Sequence, residues 1–210
     1  MITFYFLQEY GSSDLLLPAL SPSRRLLGAQ AGSEAVRRER IFSYVLLRLA
    51  LLEEFGISDP PEFMFGEYGK PFLRDNPDVF FSLSHSSGAA LCAVASFPIG
   101  ADLQECRKMR PGIENRFCTP REIARIRDSS ARDRELSRLW CIKESRGKLT
   151  GKGFSERFDT IESEALLQSG RAQCLERGDF FLSICADREL ESPELRTVTE
   201  AELLERFGRE

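Results

Sequence analysis

Twice along the 210 residues a long helical pattern is followed by short strand patterns, and this order restricts the chain to folds in which a helix covers a nearby sheet. The first helical pattern runs over 33–55, with Phe42, Val45, Leu49 and Leu52 near one face, Gly32 before it and Gly56 to stop it. Strand patterns follow at 62–65, 79–83, 89–96 and 99–103. The second half opens on Thr119 as an N-cap, with Pro120 in the first helical position and Glu122 completing a capping box. Another helix is expected over about 133–149, then strands near 158–163, 172–175 and 180–186. A doubly wound parallel sheet would need more regular strand and helix alternation, so the expected class is α+β.

The second long helix carries the densest chemistry. In Trp140 through Gly153, Trp140, Glu144 and Lys148 fall near one face, while Leu139, Ile142 and Leu149 form an adjacent stripe that can pack inward. The plainer alternative is that Glu144 and Lys148 make an exposed i,i+4 ion pair worth about 0.2–0.5 kcal/mol. Upstream, Ile99 to Glu105 reads as a short strand whose alternation puts Asp102 and Gln104 on one face, Ala101 and Leu103 on the other, and turns Glu105 away. Two or three oxygen ligands, completed by water, suit magnesium held against substrate phosphates. The plainer reading of Asp102 is an aspartate satisfying local backbone.

A third segment joins Gly69-Lys70-Pro71 to Phe80-Phe81-Ser82-Leu83-Ser84-His85-Ser86. The sole histidine is expected in a serine-rich turn before the small apolar strand at 89–95, where hydroxyls, imidazole and backbone N–H groups can hold a phosphate. A serine hydrolase is a poor fit, because no G-x-S-x-G elbow is present and His85 has no compelling acid partner. Gly151-Lys152-Gly153 lacks Walker spacing and follows a helix instead of preceding one.

Taken in order, Gly69-Lys70-Pro71, Ser84-His85-Ser86, Gly100-Ala101-Asp102 and the Trp140 to Gly153 stretch resemble the 4′-phosphopantetheinyl transferases, in particular the larger single-chain type that activates surfactin synthetase. Two positions depart from the family pattern: Ser82 stands where asparagine is common, and Gln104 where a second carboxylate is common. Gln104 keeps a carbonyl oxygen but brings no charge. The resemblance implies two similar α+β halves, 1–103 and 104–210, packed as a pseudo-dimer with coenzyme A and metal in the cleft between them. It implies transfer of 4′-phosphopantetheine from coenzyme A to a serine of an apo acyl or peptidyl carrier protein, leaving 3′,5′-ADP. In that scheme Mg2+ is bound by Asp102 and Glu144, with Gln104 direct or through water, and Glu144 is also the base. Lys148 balances charge on the leaving group, with Lys143 a secondary helper. Lys70, Ser84 and His85 contact coenzyme A phosphates, and Arg24 aligns near the 3′-phosphate. The alternative is a family-like coenzyme A or carrier-protein binding protein without activity.

Composition agrees with such an enzyme. A net charge of −4 provides no positive field for nucleic acid. Residues 1–10 are apolar and alternating but lack the basic start and long apolar core of a secretion signal, and no run approaches the roughly 18–20 apolar residues of a membrane span. A cytoplasmic monomer without a membrane partner is expected. The six cysteines form no C-x-x-C pair, which argues for free thiols and against zinc. A basic docking surface for an acidic carrier is sought in 116–138, around Arg121, Arg125 and Arg127, against the alternative of a solvated helix laced by Glu122, Asp128 and Asp133.

Overall fold

The computed structural model describes residues 2–11, 13–127 and 129–208, apart from the side chain of Phe154. In chain order the elements are β1 (Thr3–Gln8), α1 (Pro22–Ala29), α2 (Glu34–Phe55), β2 (Phe63–Phe65), β3 (Pro71–Leu73), β4 (Phe80–Ser86), β5 (Ala89–Ala95) and β6 (Ile99–Glu105). They continue with α3 (Pro120–Arg127), α4 (Arg132–Thr150), α5 (Ser163–Gln168), β7 (Ala172–Arg177), β8 (Phe180–Ala186), β9 (Glu194–Val198) and α6 (Glu200–Phe207). The class is α+β. Two compact units emerge, Met1–Phe97 with Pro193–Glu210, and Pro98–Ser192. The break therefore falls six residues before the expected 103/104 boundary, and the C-terminal segment returns to the first unit. Pairing explains both differences: β6 pairs with β8, and β9 pairs with β1.

In the first unit, the sheet runs β4-β5-β1-β9, antiparallel except for the parallel β1–β9 pair. The apolar run near the start of the sequence is thus an interior strand, with Phe4, Tyr5, Phe6 and Leu7 all buried. The helix α2 packs on β4 and β5, and its ends carry the expected signals. Ser33 Oγ accepts from the Val36 N–H, and Gly56 closes the helix with φ of +68°. Its buried surface is wider than the four-residue stripe, because every residue from Ile41 to Leu51 is buried. A separate hairpin pairs β2 with β3. It accounts for Gly69-Lys70-Pro71: Gly69 supplies φ of +79° in the turn, and Pro71 starts the strand opposite Phe65.

The β4–β5 hairpin turns through Ser87 and Gly88, both at positive φ (+48° and +75°), with Ser86 opposite Ala89. This two-residue loop has the geometry whose twist matches the flanking strands. It also corrects the placement of His85, which lies within β4, before the turn.

In the second unit, α4 packs across the antiparallel sheet β6-β8-β7. Contact between helix and strand is closest at Gly100, where a Cβ would meet the backbone Leu149 N at 2.1 Å and Ser145 O at 2.2 Å. The capping box forms as written: the Glu122 N–H donates to Thr119 Oγ1 at 3.2 Å, and the Thr119 N–H donates to Glu122 Oε2 at 2.9 Å. The expected strand at 158–163 is instead a 3-10 turn, Phe158–Thr160, leading into α5. The Phe158 and Ile161 carbonyls accept from Lys143 Nζ at 2.8 and 2.6 Å, which removes them from any ladder. All six cysteines are free, four of them buried. Among the described residues no helix is long and apolar enough to cross a membrane.

Candidate active site

The second unit gathers Asp102, Gln104, Glu144 and Lys148. Strand alternation turns Gly100, Asp102 and Gln104 to one face of β6, and the absent side chain at Gly100 lets that strand lie against the last turns of α4. Leu139, Ile142 and Leu149 are buried as the expected inward stripe, while Glu144 and Lys148 remain half-buried beside it. Lys148 Nζ reaches across to Asp102 Oδ1 at 2.7 Å, so it makes a helix-to-strand ion pair. Asp102 and Gln104 are only 5 % and 6 % exposed, and the Gln104 amide donates to the Glu105 carbonyl at 2.8 Å.

Glu144 has the most perturbed carboxyl in this group. Its Oε1 is buried with no hydrogen-bond partner. Burial first, and the Asp102 carboxylate second, push its pKa up to about 7, with Lys148 opposing them. A divalent cation fits this donor set. Two carboxylates repel one another in a water-poor site, one carries an unsatisfied oxygen, and Gln104 adds an amide group at the same strand face. Among the described residues no cluster of three or more His, Cys, Asp or Glu is gathered, so water and substrate oxygens would complete the coordination shell.

Two residues of the α4 motif belong to packing. Trp140 makes edge contacts with Phe117 (centroids 5.0 Å apart) and Phe158 (6.1 Å), within a cluster that includes Leu136 and Leu139. Lys143, considered as a helper for the leaving group, has a fully buried side chain and pairs with Glu122 Oε2 at 2.7 Å. Glu122 also accepts from the Ser163 N–H at 3.0 Å. Burial alone would raise its pKa, but the Lys143 hydrogen bond and the Ser163 and Thr119 N–H groups outweigh it and hold the carboxyl below the usual range. Sequence patterning gives Glu122 two readings, a cap and a charge lacing a solvated helix; at 3 % exposed it is not solvated. Its partner lies 21 positions later, beyond the reach of helical periodicity.

The four candidate phosphate contacts lie in the first unit. Lys70 is half-buried in the β2–β3 turn, where the Gly66 N–H donates to the Lys70 carbonyl at 3.0 Å. Ser84 is buried and His85 is 48 % exposed; as neighbours on β4 they face opposite sides of the sheet. Arg24, on α1, lays its guanidinium over Phe63 (4.9 Å) and Tyr44 (5.5 Å). Burial lowers its pKa.

On the basic segment, Arg125 pairs with Glu135 and Glu164, Arg132 with Glu114 and Asp133, and Arg134 with Glu176. Arg121 and Arg127 stand exposed on α3, and Asp128 lies outside the described residues.

Residues 98–199 match the model of the 4′-phosphopantetheinyl transferase superfamily. The chain is 34 % identical over 159 residues to a 4′-phosphopantetheinyl transferase of Bacillus subtilis, covering 72 % of this chain and 69 % of that protein. It is 34 % identical over 131 residues to 4′-phosphopantetheinyl transferase Sfp of Bacillus subtilis strain 168, covering 60 % and 58 %. A third relative, an L-aminoadipate-semialdehyde dehydrogenase-phosphopantetheinyl transferase of Eremothecium gossypii, is 33 % identical over 149 residues, covering 62 % and 53 %.

Proposed function

The chain belongs to the 4′-phosphopantetheinyl transferase family, and from that premise we propose that it moves 4′-phosphopantetheine from coenzyme A to a serine of an apo acyl or peptidyl carrier protein. The observation that carries this reading is the group formed by buried Asp102, the unsatisfied Oε1 of Glu144, and Lys148 at 2.7 Å from Asp102. Asp102 and Glu144 would hold Mg2+, with Gln104 direct or through water. When bound, the ion supplies Lewis-acid withdrawal of charge from the pyrophosphate.

The rest follows from the side chains. The serine Oγ bonds to the phosphorus that carries pantetheine, the bond from that phosphorus to the bridging oxygen breaks, and 3′,5′-ADP leaves with the bridging electrons. The serine proton passes to Glu144, directly or through water, because a carboxyl raised to about 7 is well matched to accepting a proton near neutrality. Ligating a cation lowers that basicity, so the two roles of Glu144 compete. Lys148 supplies positive charge where negative charge grows on the departing phosphate. Lys70, Ser84 and His85 bind the phosphates of coenzyme A, with Arg24 at the 3′-phosphate; the exposed imidazole and the half-buried cations support this assignment.

We assign Arg121 and Arg127, as exposed cations on α3, to docking of an acidic carrier. A monomer in the cytoplasm suits six free thiols. The test is the intact mass of apo-carrier proteins after incubation with this chain, Mg2+ and coenzyme A. A phosphopantetheine-sized gain on the acceptor serine is expected. Coenzyme A binding without any gain across a panel of carriers would overturn the transferase reading.

A further inference from the structure

We propose that Glu39 is a positioning residue for His85, holding Nδ1 of the imidazole so that Nε2 is the nitrogen offered to a coenzyme A phosphate. This rests on the phosphate-binding role given to His85 above. Glu39 lies on α2, and its Oε2 is 3.2 Å from His85 Nδ1. The carboxylate is 25 % exposed and the imidazole 48 %, so the contact sits below the surface while part of the ring faces solvent.

Two of the arginines close to Glu39 in sequence are engaged elsewhere. Arg37 pairs with Asp14 at 2.6 Å and Glu34 at 3.2 Å, and Arg40 donates to the Leu27 carbonyl at 2.7 Å. The charge on Glu39 is felt locally: burial first, and Glu39 next, push the Tyr10 phenol up to about 12, with Arg38 opposing. An ionised carboxylate only accepts hydrogen bonds, so the nitrogen facing it must carry the proton. With Nδ1–H committed to Glu39, Nε2 can donate to a phosphate only from the doubly protonated ring. Glu39 therefore fixes the orientation in which His85 is useful.

The sign of the effect separates this role from that of a bystander. A carboxylate near a polyanion's site repels the ligand, so removing a bystander would tighten binding. Removing a positioning residue weakens it. The probe is 3′,5′-ADP, titrated calorimetrically into the full chain and into Glu39→Ala, Glu39→Gln, His85→Ala and Glu39→Ala/His85→Ala. Glu39→Ala and His85→Ala should each weaken binding by about tenfold, the scale of one charge-assisted hydrogen bond, and the double variant should be no weaker than either. Glu39→Gln retains an acceptor and should recover part of the loss.

Because His85 is the only histidine in the chain, its two 15N shifts are read without assignment ambiguity. They should show a protonated Nδ1 in the parent chain and in Glu39→Gln, with that preference lost in Glu39→Ala. Unchanged or tighter binding by Glu39→Ala, additive losses in the double variant, or unchanged 15N shifts would overturn the positioning role. If His85→Ala itself binds 3′,5′-ADP normally, the phosphate contact assigned to His85 fails, and this inference fails with it.

Discussion

Lys143 and Glu122 form an ion pair at 2.7 Å with side chains 0 % and 3 % exposed, and backbone groups of Thr119, Phe158, Ile161 and Ser163 hydrogen-bond to its two members. One carbon chain thereby ties α4, the start of α3 and the turn before α5. Breaking such a pair leaves an uncompensated buried charge, which costs about 3–5 kcal/mol. Lys143→Met and Glu122→Gln should each lower unfolding free energy by that order in urea titration, whereas Glu122→Gln/Lys143→Met should recover much of the loss. Additive losses would argue against a coupled pair.

The two perturbed glutamates give opposite pH signatures. Glu122 has its pKa depressed in the folded chain, so its contribution is present above the usual carboxylate value and is lost as pH falls through the folded value. Glu144 is raised to about 7, so its contribution is present below the usual carboxylate value and disappears as pH rises toward about 7. In chelator, Tm of the parent chain should therefore carry a decline between pH 5 and 7 that Glu144→Gln flattens, together with an acid loss that it leaves in place. That pH range lies between the ordinary value of a Glu144 carboxyl, about 4.5, and its folded value, about 7.

Asp102→Ala and Glu144→Gln should abolish transfer while far-ultraviolet dichroism stays native. Gln104→Ala should reduce transfer less, because the amide it removes carries no charge. Gln104→Glu adds a third carboxylate and should tighten Mg2+ binding; an unchanged magnesium titration would place the residue outside the coordination sphere.

Lys148 has a structural partner as well as a proposed chemical role. Lys148→Met leaves the Asp102 carboxylate, 7 % exposed, without its ammonium partner, at a cost of about 1–3 kcal/mol. Turnover should fall on the order of 100-fold, as for other charges aimed at a transition state. Added Mg2+ should restore the lost stability but not the lost turnover in single-turnover kinetics. Near-normal turnover would remove Lys148 from the chemistry.

At Gly100 the obstacle to a side chain is backbone, Leu149 N and Ser145 O, so neither neighbour can swing away. Gly100→Ala should cost about 1–3 kcal/mol or more and separate β6 from α4, which weakens metal binding and transfer together. A variant with parent-like Tm and magnesium affinity would contradict the tight strand-to-helix contact.

Local signals in the sequence are legible where neighbours in the chain satisfy one another. Ser33 and Gly56 bound α2, Thr119 and Glu122 cap α3, and alternation in β6 places Asp102 and Gln104 together. What escaped was decided by distant partners. Residues 158–163 have strand-like composition, yet Lys143 takes two of their carbonyls. Trp140 shares a helical face with Glu144 and Lys148, but Phe117 and Phe158 draw it into the aromatic cluster. The pairing of β1 with β9 joins residues about 190 positions apart, which no local pattern can announce.

That last pairing has a consequence for synthesis. Sheet β6-β8-β7 has all its strands once residue 186 has been made, whereas β1 keeps one edge unpaired until β9, about 190 residues later, emerges. On the ribosome, at roughly 5–20 residues per second, that edge waits on the order of ten seconds or more. Its sequence, Thr-Phe-Tyr-Phe-Leu-Gln, is apolar enough to recruit another nascent strand. The hazard of misassembly therefore lies with β1, whose partner comes so late.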